Sequence, residues 1–254
     1  MKKIWVFTAL LIIAFCFAQP ISPVFANSRS DYEKSGDVIW EVNTNEKIVA
    51  ITFDDGPHPI FTPQILDILA KYNAKATFFV AGNKVKRFPE VLKREVAEGH
   101  EIANHTYNHI YSRNITAEKL TTELKDTDAI IQQITGQRPK LYRPVGGLFN
   151  ELIINTAVKN NKLVILWSWH QDPKDWRSPS ANQISGVITK GVQPGNIILL
   201  HDWNGTEETK VSQTVLALDN ILAHLYKNGY KCVTVSELLY RSKKTIPDQI
   251  DPFK

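Results

Sequence analysis

Near-continuous apolar runs alternate with helix-patterned segments along most of this chain, and that alternation leaves few architectures open. Lys47–Phe53, Ala76–Val80, Leu163–Trp169 and Asn196–Leu200 read as strands that are apolar on both faces. A strand of that kind has to be covered on both faces, which is the condition of a parallel sheet flanked by helices. Glu101–Ala103, Leu141–Arg143 and Lys231–Val233 read as three further short strands. Between them, helices are expected over Gln64–Tyr72, Pro89–Glu98, Thr116–Thr135, Asn150–Asn160, Ser180–Lys190, Thr214–Lys227 and Ser236–Tyr240. Thr62 with Pro63 is expected to cap the first of these, and Gly99, Gly136 and Gly229 to end three others. About seven parallel strands separated by helices predict an α/β fold, an irregular (β/α) barrel in a single domain. An open doubly wound sheet is the rival arrangement.

The N-terminus follows a different pattern. Lys2 and Lys3 precede an apolar run, Ile4–Phe17, and then come Pro20, Pro23 and Val24-Phe25-Ala26. This is the order of a secretory signal peptide, expected over residues 1–26. A polar segment, 27–46, is expected to lead into the main domain, 47–240, followed by a loosely held polar tail, 241–254. The protein is therefore expected to be secreted or associated with the cell wall, with an uncleaved membrane anchor as the alternative. Cys16 would leave with the signal, so Cys232 stands alone and no internal disulfide is expected. The formal net charge is +4 with no basic run, which argues against a nucleic-acid partner. No obligate protein partner is evident, and a monomer is expected.

Polar residues gather where the predicted strands end. Asp54 and Asp55 stand side by side after the first strand, in Thr52-Phe53-Asp54-Asp55-Gly56-Pro57. Adjacent carboxylates repel, and a cation held beside them would remove the repulsion. One of the pair can then ligate the cation while the other moves a proton. His105-Thr106-Tyr107-Asn108-His109 places two imidazoles at i and i+4, on one face if this stretch is a helical turn. Two histidines and one carboxylate make the ligand set of catalytic zinc sites, with a position left open for water. Arg143 ends the fourth strand and His201 the sixth, and His201 is a candidate acid or base. Asp172-Pro173-Lys174-Asp175-Trp176 offers carboxylates to orient it and an aromatic wall. In parallel α/β folds the carboxyl ends of the strands share one face, and sites are built there.

These residues resemble the polysaccharide deacetylases, carbohydrate esterase family four, also described as the NodB-like domain. The likeness runs from about Lys47 to Tyr240 and rests on five segments in the family's order. They are Thr52–Pro57, His105–His109, Arg143-Pro144, Asp172–Trp176, and Ile197 with Leu199 and His201. The resemblance implies one divalent metal on Asp55, His105 and His109, zinc in the first place, with cobalt, manganese or nickel as alternatives. It implies Asp54 as general base, His201 as general acid and Arg143 as the group that positions the base. Asp175 would orient His201, Trp176 and Leu199 would line the pocket for the acetyl methyl, and the Gly146 N–H would donate to the oxyanion. The implied reaction is removal of N-acetyl groups from a cell-wall glycan, peptidoglycan amino sugars first. Chitin oligosaccharides or O-acetylated xylan are alternative substrates, and a metal-containing glycan-binding protein without turnover is the alternative of a different class. Val145-Gly146-Gly147 departs from the family pattern. Its two glycines are expected to loosen the loop and to remove a side chain from the sugar groove.

Overall fold

Ile48–Asp54 is buried at every position, and in the computed structural model it is the axis on which the sheet is built. The structure describes residues 28–203, 207–244, 247, 248 and 251, so the expected signal peptide lies outside the described residues. In chain order the elements begin with α1 (Arg29–Ser35), β1 (Val38–Ile39), β2 (Ile48–Asp54), α2 (Phe61–Lys71), β3 (Ala76–Val80) and α3 (Gly82–Arg87). They continue with α4 (Pro89–Ala97), β4 (Glu101–Asn104), α5 (Ala117–Thr135), β5 (Leu141–Tyr142), α6 (Glu151–Lys159) and β6 (Leu163–Ile165). The last are α7 (Ala181–Gly191), β7 (Ile197–His201), α8 (Gln213–Lys227), β8 (Lys231–Cys232) and α9 (Val235–Arg241). Seven strands lie in the order β1-β6-β5-β4-β3-β2-β7, all parallel, and β8 adds to the start of β2.

The two faces of the curled sheet are buried for different reasons. Val49, Ile51 and Phe53 of β2 join Ile65 and Leu69 of α2, Ile184 and Ile188 of α7, and Leu218 and Ile221 of α8 in the outer core. The alternate residues Ile48 and Ala50 pack inside the curl with Phe79, Leu141, Leu163 and Ile197, and Leu238 and Leu239 of α9 close its lower end. The period of two carries Thr52 and Asp54 onto this inner face at the carboxyl end of the strand. Glycine and capping residues set the helix ends. Thr116 accepts from Lys119 N–H at the start of α5, and Gly136 ends it in a left-handed conformation.

Several expectations need correction. Residues 27–46 are more than a polar lead, because α1 and β1 lie there and β1 is an edge strand paired with β6. Thr62 is not an N-cap: α2 begins at Phe61, and the buried Thr62 hydroxyl accepts from His58 N–H and donates to Asp202. The strand expected over Leu163–Trp169 ends at Ile165. Beyond it the chain turns to β7, where Ser168 N–H donates to the Ile197 carbonyl and Leu199 N–H to that of Gln171. That irregular stretch spans the space between the two ends of the sheet and gives the barrel its irregularity. The tail is held at its start, since Arg241 pairs with Glu46 at 2.8 Å and with Glu237 at 3.2 Å.

Candidate active site

Asp54 and His201 are register partners on the adjacent strands β2 and β7, so their side chains emerge side by side at the carboxyl end of the sheet. A cavity of about 390 Å³ opens there. Of the residues singled out from the sequence, Asp54, Asp55, His105, His109, Gly146, Trp176, Leu199 and His201 all line it. Arg143 and Asp175 are buried behind it.

Each of those two buried groups grips one cavity residue. Arg143 is fully buried and donates from Nη1 to Asp54 Oδ1 at 2.6 Å and to Thr52 Oγ1 at 2.8 Å. Its Nε and Nη2 donate to the carbonyls of Ile165 and Leu166, and its guanidinium lies 4.0 Å over the Phe79 ring. The ion pair therefore fixes Asp54 Oδ1 and leaves Oδ2, 3.8 Å from His105 Nε2, as its free edge. Asp175 accepts from His201 Nδ1 at 2.7 Å, from His201 N–H at 2.8 Å and from the Thr214 hydroxyl at 2.7 Å. A carboxylate can only accept, so Nδ1 carries a proton and Nε2 is the nitrogen left for the cavity.

The metal-type cluster is brought together differently from the helical turn its spacing suggests. Residues 105–109 form a loop in which Thr106 (φ 69°) and His109 (φ 53°) adopt left-handed backbone. Two acceptors hold it there. Asn104 Oδ1 takes the Thr106 N–H, and the buried carboxylate of Glu123 in α5 takes the N–H groups of Tyr107 and Asn108 and the Asn108 amide. Asp55, the third member, also has positive φ, 78°. Left-handed conformations at non-glycine residues cost about 1–3 kcal/mol each and persist where the surroundings impose them, which is common at functional sites.

The donor set fits a cation. One ligand atom from each of Asp55, His105 and His109 lies within 4.8 Å of the others. His105 Nδ1 is 2.8 Å from the Arg143 carbonyl and must donate to it, so in the neutral ring Nε2 presents a lone pair to Asp55 Oδ1, 3.3 Å away. His109 Nε2 lies 2.7 Å from the same oxygen. Acceptors facing one another this closely need a positive charge among them, a proton or a metal ion. Burial opposes ionisation of Asp55, but hydrogen bonds from His105 and His109, in the forms that carry a proton on Nε2, outweigh it and hold the carboxyl well below the ordinary carboxylate range.

The polysaccharide deacetylase family model matches residues 41–164. A peptidoglycan-N-acetylglucosamine deacetylase of Bacillus cereus is 48% identical over 211 residues, which are 83% of this chain and 97% of that protein. The chain belongs to the polysaccharide deacetylase family. Its fold agrees: a crystal structure of a peptidoglycan N-acetylglucosamine deacetylase superposes with a TM-score of 0.77 at 33% identity, over 83% of this chain and 96% of that one. A family 4 acetyl xylan esterase from Clostridium thermocellum, in complex with a cobalt ion, superposes with a TM-score of 0.72 at 35% identity, over 82% and 95%.

Four cavity residues carried no expectation from the sequence as lining groups: Tyr111, Val145, Trp167 and Asp172. The glycine pair explains two of them. Gly146 (φ 63°) and Gly147 (φ 66°) both require left-handed backbone. A Cβ on Gly146 would meet the Tyr111 ring at 2.5 Å, and one on Gly147 would meet Trp167 at 2.5 Å. The glycines thus admit two aromatic walls against the loop backbone. A side chain is indeed missing from the groove at these positions, and neighbouring aromatic rings take its place.

His201 shows how the site balances charge. Burial alone would pull its imidazolium down, but the Asp175 charge and hydrogen bond, with Asp55 and Asp54 beyond, outweigh it and push the pKa up to about 10. A metal cation on Asp55 would cancel part of that push and leave the Asp175 part in place. If His201 acts as an acid, activity is lost as pH rises through its pKa. Asp175→Asn should therefore move the alkaline limb of the kcat/KM profile to lower pH. An unmoved limb in the variant would show that His201 is not the group titrating.

Proposed function

We propose that this protein hydrolyses N-acetyl groups on a cell-wall glycan, with peptidoglycan amino sugars as the main substrate, and that it does so with one divalent metal ion. The observation that carries the reading is the pairing of Asp54 and His201 on neighbouring strands. Each is gripped from behind by an opposite charge, and both open on the cavity that holds the Asp55, His105 and His109 set. Pure glycan binding would need neither proton carrier.

A divalent ion on Asp55, His105 and His109 would act as a Lewis acid on the amide oxygen and bring the pKa of water from about 16 towards about 7. Two imidazoles and one carboxylate favour zinc, with cobalt, manganese and nickel as alternatives. Asp54 takes a proton from the attacking water through Oδ2, the oxygen that Arg143 leaves uncommitted. The Gly146 N–H, on the cavity wall, donates to the oxygen as negative charge develops on it. His201 gives its Nε2 proton to the departing nitrogen, because an amine leaves far more readily than an amide anion. Trp176 and Leu199 supply the apolar surface on which the acetyl methyl rests. The products are acetate and a free amino sugar. The leader pattern of residues 1–26 supports action outside the cytoplasm, where such a glycan is met.

Acetate release from N-acetylated glycan tests the reading. It is expected to stop after chelation and to return when zinc or cobalt is added back. Release that persists unchanged in the metal-free protein would end the metal-dependent reading.

A further inference from the structure

Asp202 is a buried carboxylate for which the reaction proposed above has no use. It follows His201 at the end of β7, is 1% exposed, and stands outside the Asp55, His105 and His109 set. Burying a carboxylate is costly, and the protein satisfies this one only in part. Oδ2 accepts from the Thr62 hydroxyl, while Oδ1 has no hydrogen-bond partner among the described residues. A residue needed only to accept from Thr62 could have been neutral.

The segment from Asp54 to Thr62, where β2 gives way to α2, is folded around this side chain. Asp202 N–H donates to the Asp54 carbonyl at 3.2 Å. The Asp202 carboxylate lies directly against Gly56, where a Cβ would fall onto its carbon and both oxygens. Gly56 does not have positive φ, so close approach, and not backbone freedom, explains the glycine. Thr62 passes the grip along the chain. Its Oγ1 accepts from His58 N–H at 2.7 Å, and His58 Nδ1 accepts from the N–H groups of Ile60 and Phe61 at 3.1 and 3.0 Å. On its other side the turn is pinned to the end of β3. Asp55 N–H donates to the Phe79 carbonyl at 3.2 Å, and Ala81 N–H to the Gly56 carbonyl at 2.9 Å. Asp55 is thereby held between β3 and Asp202 in the left-handed conformation (φ 78°) from which it meets His105 and His109. Charge acts in the same direction. The Lys84 ammonium favours the Asp202 carboxylate and Asp55 opposes it. A divalent ion on Asp55 would turn that opposition into attraction.

We propose that Asp202 is a positioning residue for the metal. Wedged against Gly56 and tied to Thr62, its carboxylate sets the turn on which Asp55 stands, so affinity for the ion depends on a side chain outside the ligand set. The proposal rests on the metal reading of Asp55, His105 and His109 and deepens it.

The test measures zinc affinity, by competition with a chelating dye, beside thermal stability. Asp202→Ala should weaken zinc binding about 10–100-fold, the usual loss when a group behind a metal ligand is removed. Asp202→Asn loses the same charge but keeps the shape and an acceptor for Thr62, so it should bind zinc more tightly than Asp202→Ala. Thr62→Val changes no charge and should weaken zinc binding too. Equal affinity in the Asn and Ala variants with unchanged affinity in Thr62→Val would overturn the positioning role. A lower melting temperature with zinc affinity unmoved would overturn it as well. Hydrogen exchange supplies a readout without metal. In the metal-free protein, the amides of residues 55–62 should exchange faster in Asp202→Ala and Thr62→Val, by a larger factor than those of α5. Unaltered exchange there would count against the proposal. Absence of zinc binding in the unaltered protein would instead end the metal reading, and the exchange rates would still decide whether Asp202 sets the turn.

Discussion

Asp54→Asn is expected to lower kcat by about 10²–10⁴, the range over which a positioned proton carrier contributes, with the fold and metal content kept but stability reduced, because the buried Arg143 loses its counter-charge. Asparagine keeps the shape of Asp54 and can still accept from Arg143 through its carbonyl oxygen. It cannot take a proton from water. Asp54 reaches no closer than 3.8 Å to the nearest ligand-type nitrogen, His105 Nε2, whereas Asp55 meets both His105 and His109 within 3.3 Å. The two adjacent aspartates are thus separated in role by geometry. Metal analysis of the variant checks this division: the ion should remain in Asp54→Asn and be lost in Asp55→Ala. Full activity in Asp54→Asn would remove the base from the account.

Arg143→Met should be the most damaging single change to stability, by about 3–5 kcal/mol, the usual result of removing one partner of a buried ion pair. The guanidinium is completely enclosed and satisfies Asp54, Thr52 and the two carbonyls at and just beyond the end of β6 at once. Without it Asp54 keeps a buried charge with no counterion, and the carbonyls of Ile165 and Leu166 lose their donors. Chemical denaturation would measure the loss. Adding Asp54→Asn to Arg143→Met should recover part of it, since the stranded charge goes too. A double variant no more stable than Arg143→Met alone would show that the damage comes from packing instead of charge.

The architecture was largely legible because burial on both faces leaves a strand no choice of composition. Ile48–Asp54 and Ile197–His201 read as apolar runs, and the polar residues that break them, Asp54 and His201, mark the functional end. Short elements were harder to read. β1 is two residues long and stands in the 27–46 segment, ahead of the alternating strands and helices that marked the equally short β5 and β8. The Trp167–Trp169 stretch has strand-like composition, yet its hydrogen bonds go sideways to β7 through Ser168, which is a matter of long-range contact.

The site shows the same division. The chemical identity of Asp55, His105 and His109 was visible, while the means of their convergence was not. Spacing of i and i+4 suggested a helical turn. The actual loop depends on left-handed backbone at Thr106 and His109 and on Glu123, a carboxylate from the middle of α5 that looks like an ordinary helix residue. Gly146 and Gly147 read as looseness because their aromatic neighbours, Tyr111 and Trp167, lie far away in the sequence. Such residues gain their meaning only from the packing around them.

The central claim is that the Asp54–His201 pair and the Asp55, His105, His109 set together remove acetyl groups from peptidoglycan. Mass spectrometry of muropeptides, after incubating N-acetylated peptidoglycan with the zinc-loaded protein, tests it most directly. The account predicts products lighter by one acetyl group per modified sugar, with the free amine on the amino sugar. It also predicts conversion lower by about 10²–10⁴ at equal time for the Asp54→Asn and His201→Ala proteins. Unmodified muropeptides with the zinc-loaded protein, or equal conversion by the two variants, would contradict it.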